Sequence, residues 1–292
     1  MIRAAVKSMR PHQWVKNIFV AGPLVFARRM GDTHALIRTA AAFGIFCLRS
    51  STVYLVNDLV DVEKDRAHPV KRNRPIASGA LPPAIARVLA GVLGFGALAA
   101  AALLGPGGRL LGTAAAYLAL NLLYSLSLKK VAFVDVACLS GGFLLRVVGG
   151  AVAIPVPPSL WLLACTLLLS SLLGFGKRAH ELRVSGEDAR AQRDVLGRYD
   201  LGTLRKLMLA LGVLTTMTYV AYTQSHHALE VLHVQLLWTV PFVAFGIFRF
   251  NWITSRKADA ESPTDSMMRD PLFVMNLALY AVTVLVLLYV GH

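Results

Sequence analysis

The run Asn57-Asp58-Leu59-Val60-Asp61-Val62-Glu63-Lys64-Asp65 sets three aspartates at i, i+3 and i+7, a spacing that on a helix turns all three carboxylates to one face. Asn57 and Glu63 stand beside them. Carboxylates placed so closely repel one another, and a divalent cation relieves that repulsion. An open set of hard oxygen donors suits Mg²⁺ bridging to phosphate oxygens better than it suits zinc. The residues that follow supply the complementary half of such chemistry. Arg66, Lys71, Arg72 and Arg74 lie within nine residues of Asp65 and offer cations to phosphate. Pro69 and Pro75 interrupt the helix, and Ser78-Gly79 can present backbone N–H groups in a tight turn. Asn57, Asp58, Asp61 and Asp65 are therefore the expected metal ligands of a magnesium–diphosphate site.

A second, weaker constellation surrounds residues 124 to 135, with Tyr124, Ser125, Lys129, Lys130 and Asp135. Asp135 joins Asp58 and Asp61 as an expected catalytic carboxylate, and Tyr124 and Lys129 as substrate contacts. Eleven residues on, about 16 Å deeper along a regular helix, Arg146 shares the face of Asp135. A charge at that depth is either a substrate ligand or a structural partner for another helix. Lys177, Arg178 and Glu181 form a third cluster, with Arg178 and Glu181 at i, i+3, where they can also pair with each other. In the N-terminal run Arg10-Pro11-His12-Gln13-Trp14-Val15-Lys16-Asn17, Lys16 and Asn17 are placed to reach a phosphate.

The elements that hold these groups must be membrane helices. Of 292 residues, 56% are hydrophobic and only 16% are charged, and mean hydropathy is +0.58; soluble domains are nearer a quarter charged. Spans of about 20 residues are expected near 14–28, 35–57, 81–104, 109–127, 131–154, 159–177, 203–224, 229–253 and 271–290. That is an all-α polytopic protein of about nine transmembrane helices, forming one membrane domain over residues 1–292. Lys and Arg crowd alternate connections, which orients the N-terminus to the cytoplasm and puts the acidic run on the same side. Residues 184–202 read as a short surface helix or lid. Arg28 and Arg29 are the dissenting charges. The formal net charge of +14 is then one-sided, suited to anionic lipid or a polyanionic substrate, with nucleic acid not expected. Cys47, Cys138 and Cys165 lack metal-ligand spacing and read as core residues.

Asn57-Asp58-x-x-Asp61-x-x-x-Asp65, with the segment Tyr124 to Asp135, resembles the two Asp-containing motifs of the UbiA superfamily of membrane prenyltransferases. The second motif departs from the common D-x-x-x-D, since Val131 and Leu139 flank Asp135 at four residues. The resemblance implies a nine-helix bundle with its active site on the cytoplasmic side of a bacterial inner (plasma) membrane. Within the superfamily, Arg10 to Asn17, Lys71-Arg72-x-Arg74-Pro75-Ile76-Ala77-Ser78-Gly79 and Leu128 to Asp135 are similar to the decaprenyl-phosphate phosphoribosyltransferases. That implies phosphoribosyl diphosphate as donor, a long polyprenyl phosphate as acceptor and Mg²⁺ as cofactor. A prenyl transfer to an aromatic or quinone-precursor acceptor stays open, as does a transporter, which Arg49 and Arg146 keep in view. Oligomeric state is not legible.

Overall fold

The computed structural model describes residues 1–185, 194–231, 233–256 and 263–290. Among them the ordered elements are helical, with no strand. Seven helices are long and apolar enough to cross a membrane: Thr33–Val60, Pro83–Leu104, Val134–Ala153, Leu160–Val184, Leu201–Thr223, Leu236–Arg256 and Pro271–Tyr289. Large apolar side chains such as Phe95, Leu103, Leu209, Met217 and Val282 are exposed along them. Helices that are apolar on both their inner and outer faces need lipid as solvent. The protein is an all-α, multi-pass membrane protein.

Of the two expected spans outside these seven, one takes another form and the other is a helix of lower hydropathy. Residues 14–28 fold as a 3-10 helix, Pro11–Ala21, and a five-residue helix, Gly22–Phe26. Eleven residues is long for a 3-10 helix, and this one is held by side-chain bonds to Thr33–Val60, described below. Arg109–Leu126 is a regular helix of 18 residues, but Arg109 and Asn121 lower its hydropathy and it is not among the seven.

The chain divides into two compact units. The first comprises Met1–Leu126 and Leu144–Pro158. Its centre is Thr33–Val60, started by Asp32, whose carboxylate accepts from the backbone N–H groups of His34 (2.9 Å) and Ala35 (3.1 Å). This helix packs against Pro83–Leu104, Arg109–Leu126 and Pro11–Ala21, around Val20, Ile45, Phe46, Val53, Leu110 and Tyr117. Small residues bring the helices close: a Cβ on Gly94 would stand 3.3 Å from Thr52 Cγ2. Arg49 is fully buried, and its Nη1 and Nη2 donate to the carbonyls of Gly94 (3.3 Å) and Ala114 (2.5 Å). It thereby ties three helices together, a structural use for one of the two arginines that favoured transport.

The second unit comprises Ser127–Phe143 and Ser159–His292. Leu160–Ser185 and Leu201–Thr223 pack on each other over Leu172, Phe175, Leu204, Met208 and Phe250. Asp200 and Asp270 cap helix starts, accepting from Thr203 N (2.7 Å) and Phe273 N (2.9 Å), and Arg249 grips Asp270 at 2.8 and 3.1 Å.

Candidate active site

In the first unit the acidic run does not form one continuous helical stripe. Thr33–Val60 ends, Asp61 takes φ −95° and ψ 11°, and Val62–Ala67 forms a separate short helix. The bonds Asp61 N to Asn57 O (2.9 Å) and Asp65 N to Asp61 O (2.8 Å) carry the backbone ladder over this kink. Arginine side chains draw the carboxylates together. Arg74 Nη1 lies 3.2 Å from Asp58 Oδ1 and 2.7 Å from Asp65 Oδ2, so one guanidinium bridges two buried carboxylates. Arg10 Nη2 donates to the same Asp58 Oδ1 at 2.6 Å, while its guanidinium carbon sits 4.8 Å from the centre of the Tyr54 ring.

Arg10 is a contact that the sequence reading passed over in favour of Lys16 and Asn17. It stands at φ 53°, a left-handed conformation, between the helices Ile2–Met9 and Pro11–Ala21. Because a proline restricts the residue before it, this turn is held by the ion pair to Asp58 and by the tyrosine face. The legible signal was a cation set directly before Pro11 in a run rich in polar and aromatic residues.

The donor set fits a hard divalent cation. Asp58 Oδ2 and Asn57 Oδ1 are buried oxygens without a hydrogen-bond partner among the described residues, and such acceptors are costly to bury unsatisfied. No group of three or more His, Cys, Asp and Glu side chains among those residues is arranged to hold a metal by protein alone. Mg²⁺ tolerates that, since it keeps waters and takes substrate phosphate oxygens beside one or two carboxylates. Asp61 is half-buried at the kink.

The basic sequel is spread more widely. Arg66 is exposed, pairs with Glu63 at 2.7 Å and reaches Ala77 O at 3.3 Å. Lys71 and Arg72 lie on the 3-10 turn Lys71–Asn73. His68 Nδ1 accepts from Val70 N (3.2 Å) and Lys71 N (3.3 Å), which shapes that turn. Burial and the nearby Lys71 cation hold its pKa below the usual histidine value, consistent with a neutral acceptor.

Asn17 is fully buried and turned inward. Its Oδ1 accepts from Arg146 Nε at 2.7 Å, and its Nδ2 donates to Cys47 Sγ (3.2 Å) and Ser50 Oγ (3.3 Å). Arg146 Nη2 donates to the Tyr117 hydroxyl at 2.8 Å. Asn17, expected to reach a phosphate, is engaged here with Arg146, Cys47 and Ser50, and Arg146, read either as a substrate ligand or as a structural partner, is engaged with Asn17 and Tyr117. Lys16 is half-buried on the same 3-10 helix. Trp14 Nε1 donates to Ser51 Oγ at 3.1 Å. Arg10, Trp14 and Asn17 thus pin the N-terminal segment along Thr33–Val60, the helix that carries Asp58. Close packing continues at Gly149, against the Phe46 ring, and at Gly150, against the Val20 carbonyl; neither has room for a Cβ. Asn17→Ala should therefore cost about 2 kcal/mol, the worth of a hydrogen bond to a buried charge. Thermal unfolding in detergent measures it; an unchanged midpoint would contradict the clamp.

In the second unit, Asp135 and Arg178 are both fully buried, with Arg178 Nε 2.5 Å from Asp135 Oδ2. Arg178 also pairs with Glu181, and Lys177 Nζ lies 3.9 Å from Glu181 Oε1. Asp135 Oδ1 accepts from the Tyr199 hydroxyl (2.6 Å) and Val136 N (2.8 Å), while the Tyr199 oxygen accepts from Phe133 N at 2.6 Å. Burial and the bond to Asp135 push the Tyr199 phenol above its ordinary pKa, so it stays a donor. Asp135, expected to be catalytic, and Arg178, expected to bind phosphate, are sealed against each other. Tyr199 belongs to this network and was missed, because residues 184–202 read only as a polar lid; residues 186–193 of that stretch lie outside the described ones. Tyr124 is half-buried near the end of Arg109–Leu126, and Lys129 is half-buried on the 3-10 turn Leu128–Lys130.

The model of the UbiA prenyltransferase family matches residues 18–290. The chain is 40% identical over 209 residues to the decaprenyl-phosphate phosphoribosyltransferase of Mycobacterium tuberculosis, covering 70% of this chain and 68% of that one. It is 34% identical over 249 residues to the enzyme of that name from Corynebacterium glutamicum, covering 84% and 75%. Among solved structures, a UbiA homologue from Archaeoglobus fulgidus bound to DMAPP and Mg²⁺ superposes with a TM-score of 0.67 at 16% identity, over 96% of this chain and 98% of that one. The chain belongs to the UbiA prenyltransferase family and is a membrane transferase.

Proposed function

We propose that the protein transfers 5-phosphoribose from phosphoribosyl diphosphate to the phosphate of a long polyprenyl phosphate, decaprenyl phosphate being the expected acceptor, and releases diphosphate. The likeness to decaprenyl-phosphate phosphoribosyltransferases at 34 to 40% identity carries the choice of substrates. The Asp58 site supplies chemistry that suits it. The bond from ribose C1 to the diphosphate oxygen breaks, and a bond from C1 to an acceptor phosphate oxygen forms. The acceptor is already an anion at neutral pH, so no strong base is needed.

Asn57, Asp58, Asp61 and Asp65 would hold Mg²⁺, which when bound neutralises the diphosphate and makes it a better leaving group. Arg10 and Arg74 fix the two buried carboxylates and place positive charge beside the donor's anionic end. Negative charge from Asp58 and Asp61 favours the oxocarbenium character that builds on the ribose. Arg66, Lys71, Arg72, Lys129 and Lys177 are the cations proposed to bind phosphate, while Asp135, Arg178, Glu181 and Tyr199 act as a positioning network. The site lies at the cytoplasmic face of the bacterial plasma membrane, with the N-terminus on that side.

Purified protein mixed in detergent with phosphoribosyl diphosphate, a polyprenyl phosphate and Mg²⁺ should yield a lipid whose mass has grown by one phosphoribosyl group. No such lipid, with activity instead on a prenyl diphosphate and an aromatic acid, would overturn the assignment.

A further inference from the structure

The far end of Thr33–Val60 carries a feature that the transfer reaction does not use. Asp32 and Asp58 are separated by 26 residues, about 39 Å along a helix. The helix crosses the membrane, so the two ends meet opposite surfaces. Around its start lies a cavity of 220 Å³ lined by Arg29, Asp32, His34, Arg38, Ile154 and Pro155. Its floor is apolar, adjoining the buried cluster of Leu24, Ala35 and Ile154. Its rim is basic.

The charges on that rim are unequal. The Asp32 carboxylate is already engaged by Arg29 Nη2 at 2.6 Å and by two backbone N–H groups, and the Arg29 bond holds its pKa below the usual carboxylate value. Arg38 spends one N–H group on Leu104 O at 2.9 Å, out of the five that a guanidinium offers. Two arginines against one committed carboxylate leave net positive charge over an apolar floor, with the His34 ring beside them. The connections 105–108 and 155–158 at that end contain neither Lys nor Arg, and the next cation there is Arg109 at the start of Arg109–Leu126. Topology does not require the rim cations there, because positive charge on both sides weakens the orienting signal. A cavity of this size is below the usual range for a whole small-molecule ligand, yet a phosphate group with its first few carbons is smaller than a drug-sized ligand.

We infer that this cavity binds a phosphate group at the membrane surface opposite the candidate active site, with Arg38 and His34 as its principal ligands and the apolar floor receiving the carbons attached to it. The phosphate can arrive on an anionic lipid headgroup or as a free ion.

Native mass spectrometry of the purified protein, titrated with phosphatidylglycerol, phosphatidylcholine or inorganic phosphate, separates the two sources. Phosphatidylglycerol should bind at least about tenfold better than phosphatidylcholine, whose choline cation faces the arginines; tenfold corresponds to about 1.4 kcal/mol. Arg38→Gln and His34→Glu should each remove most of that preference, while Asp58→Asn keeps it. His34 is exposed, so its variant guards against a folding defect in Arg38→Gln. Competition by inorganic phosphate at equal concentration would assign the site to a free ion and still support it. Equal retention of both lipids without phosphate binding, or wild-type retention in both variants, would overturn it.

Discussion

Asp58→Asn should lower turnover at least about 10³-fold, the equivalent of some 4 kcal/mol of transition-state stabilisation, while the protein keeps its helical content and elution volume. The substitution conserves shape, so it isolates charge. Asp58 is 2% exposed, and Oδ1 is already shared by Arg10 and Arg74. The remaining oxygen, Oδ2, has no partner among the described residues, and it is the atom offered to a cation. Removing the charge leaves two guanidinium groups facing a neutral amide beside the donor's diphosphate. Initial rates with saturating donor and acceptor measure the effect. Retention of more than a tenth of wild-type turnover would remove Asp58 from the centre of the chemistry.

Arg178→Met should cost about 3–5 kcal/mol of stability, because it strands the Asp135 carboxylate in a site without solvent. Adding Asp135→Asn to that variant should recover most of the loss, since no unpaired charge then remains and Tyr199 keeps an acceptor. Thermal unfolding in detergent reads both. If Arg178 instead held substrate phosphate directly, the single variant would keep its midpoint and show only a raised donor KM. The comparison therefore separates a positioning pair from a substrate contact.

What could be read in the sequence follows the range of each interaction. The membrane class and most helices were legible because a lipid-facing helix is apolar along its whole length, as Pro83–Leu104 and Pro271–Tyr289 are. The segment 14–28 was not, because its 3-10 conformation is stabilised by Trp14 and Asn17 bonding to a helix some 30 residues away. The acidic run announced itself by local spacing, but its kink at Asp61 and the Arg74 bridge depend on how the chain returns through the turn Lys71–Asn73. Arg10 pairs with a residue 48 positions on, and Tyr199 with one 64 positions back. No local pattern encodes such pairs. The i, i+3 pair of Arg178 with Glu181 was legible from spacing, while the burial of Arg178 against Asp135 belongs to packing alone.

Donor labelled at two positions gives the most direct measurement of the proposed reaction: carbon label in the ribose and phosphorus label in the β-phosphate of the diphosphate. With polyprenyl phosphate and Mg²⁺, ribose label should pass into the organic phase while an equal amount of β-phosphate label appears in water as inorganic diphosphate. Chelation of the metal should stop both together. Ribose label confined to water in that mixture, with no labelled diphosphate released, would contradict phosphoribosyl transfer.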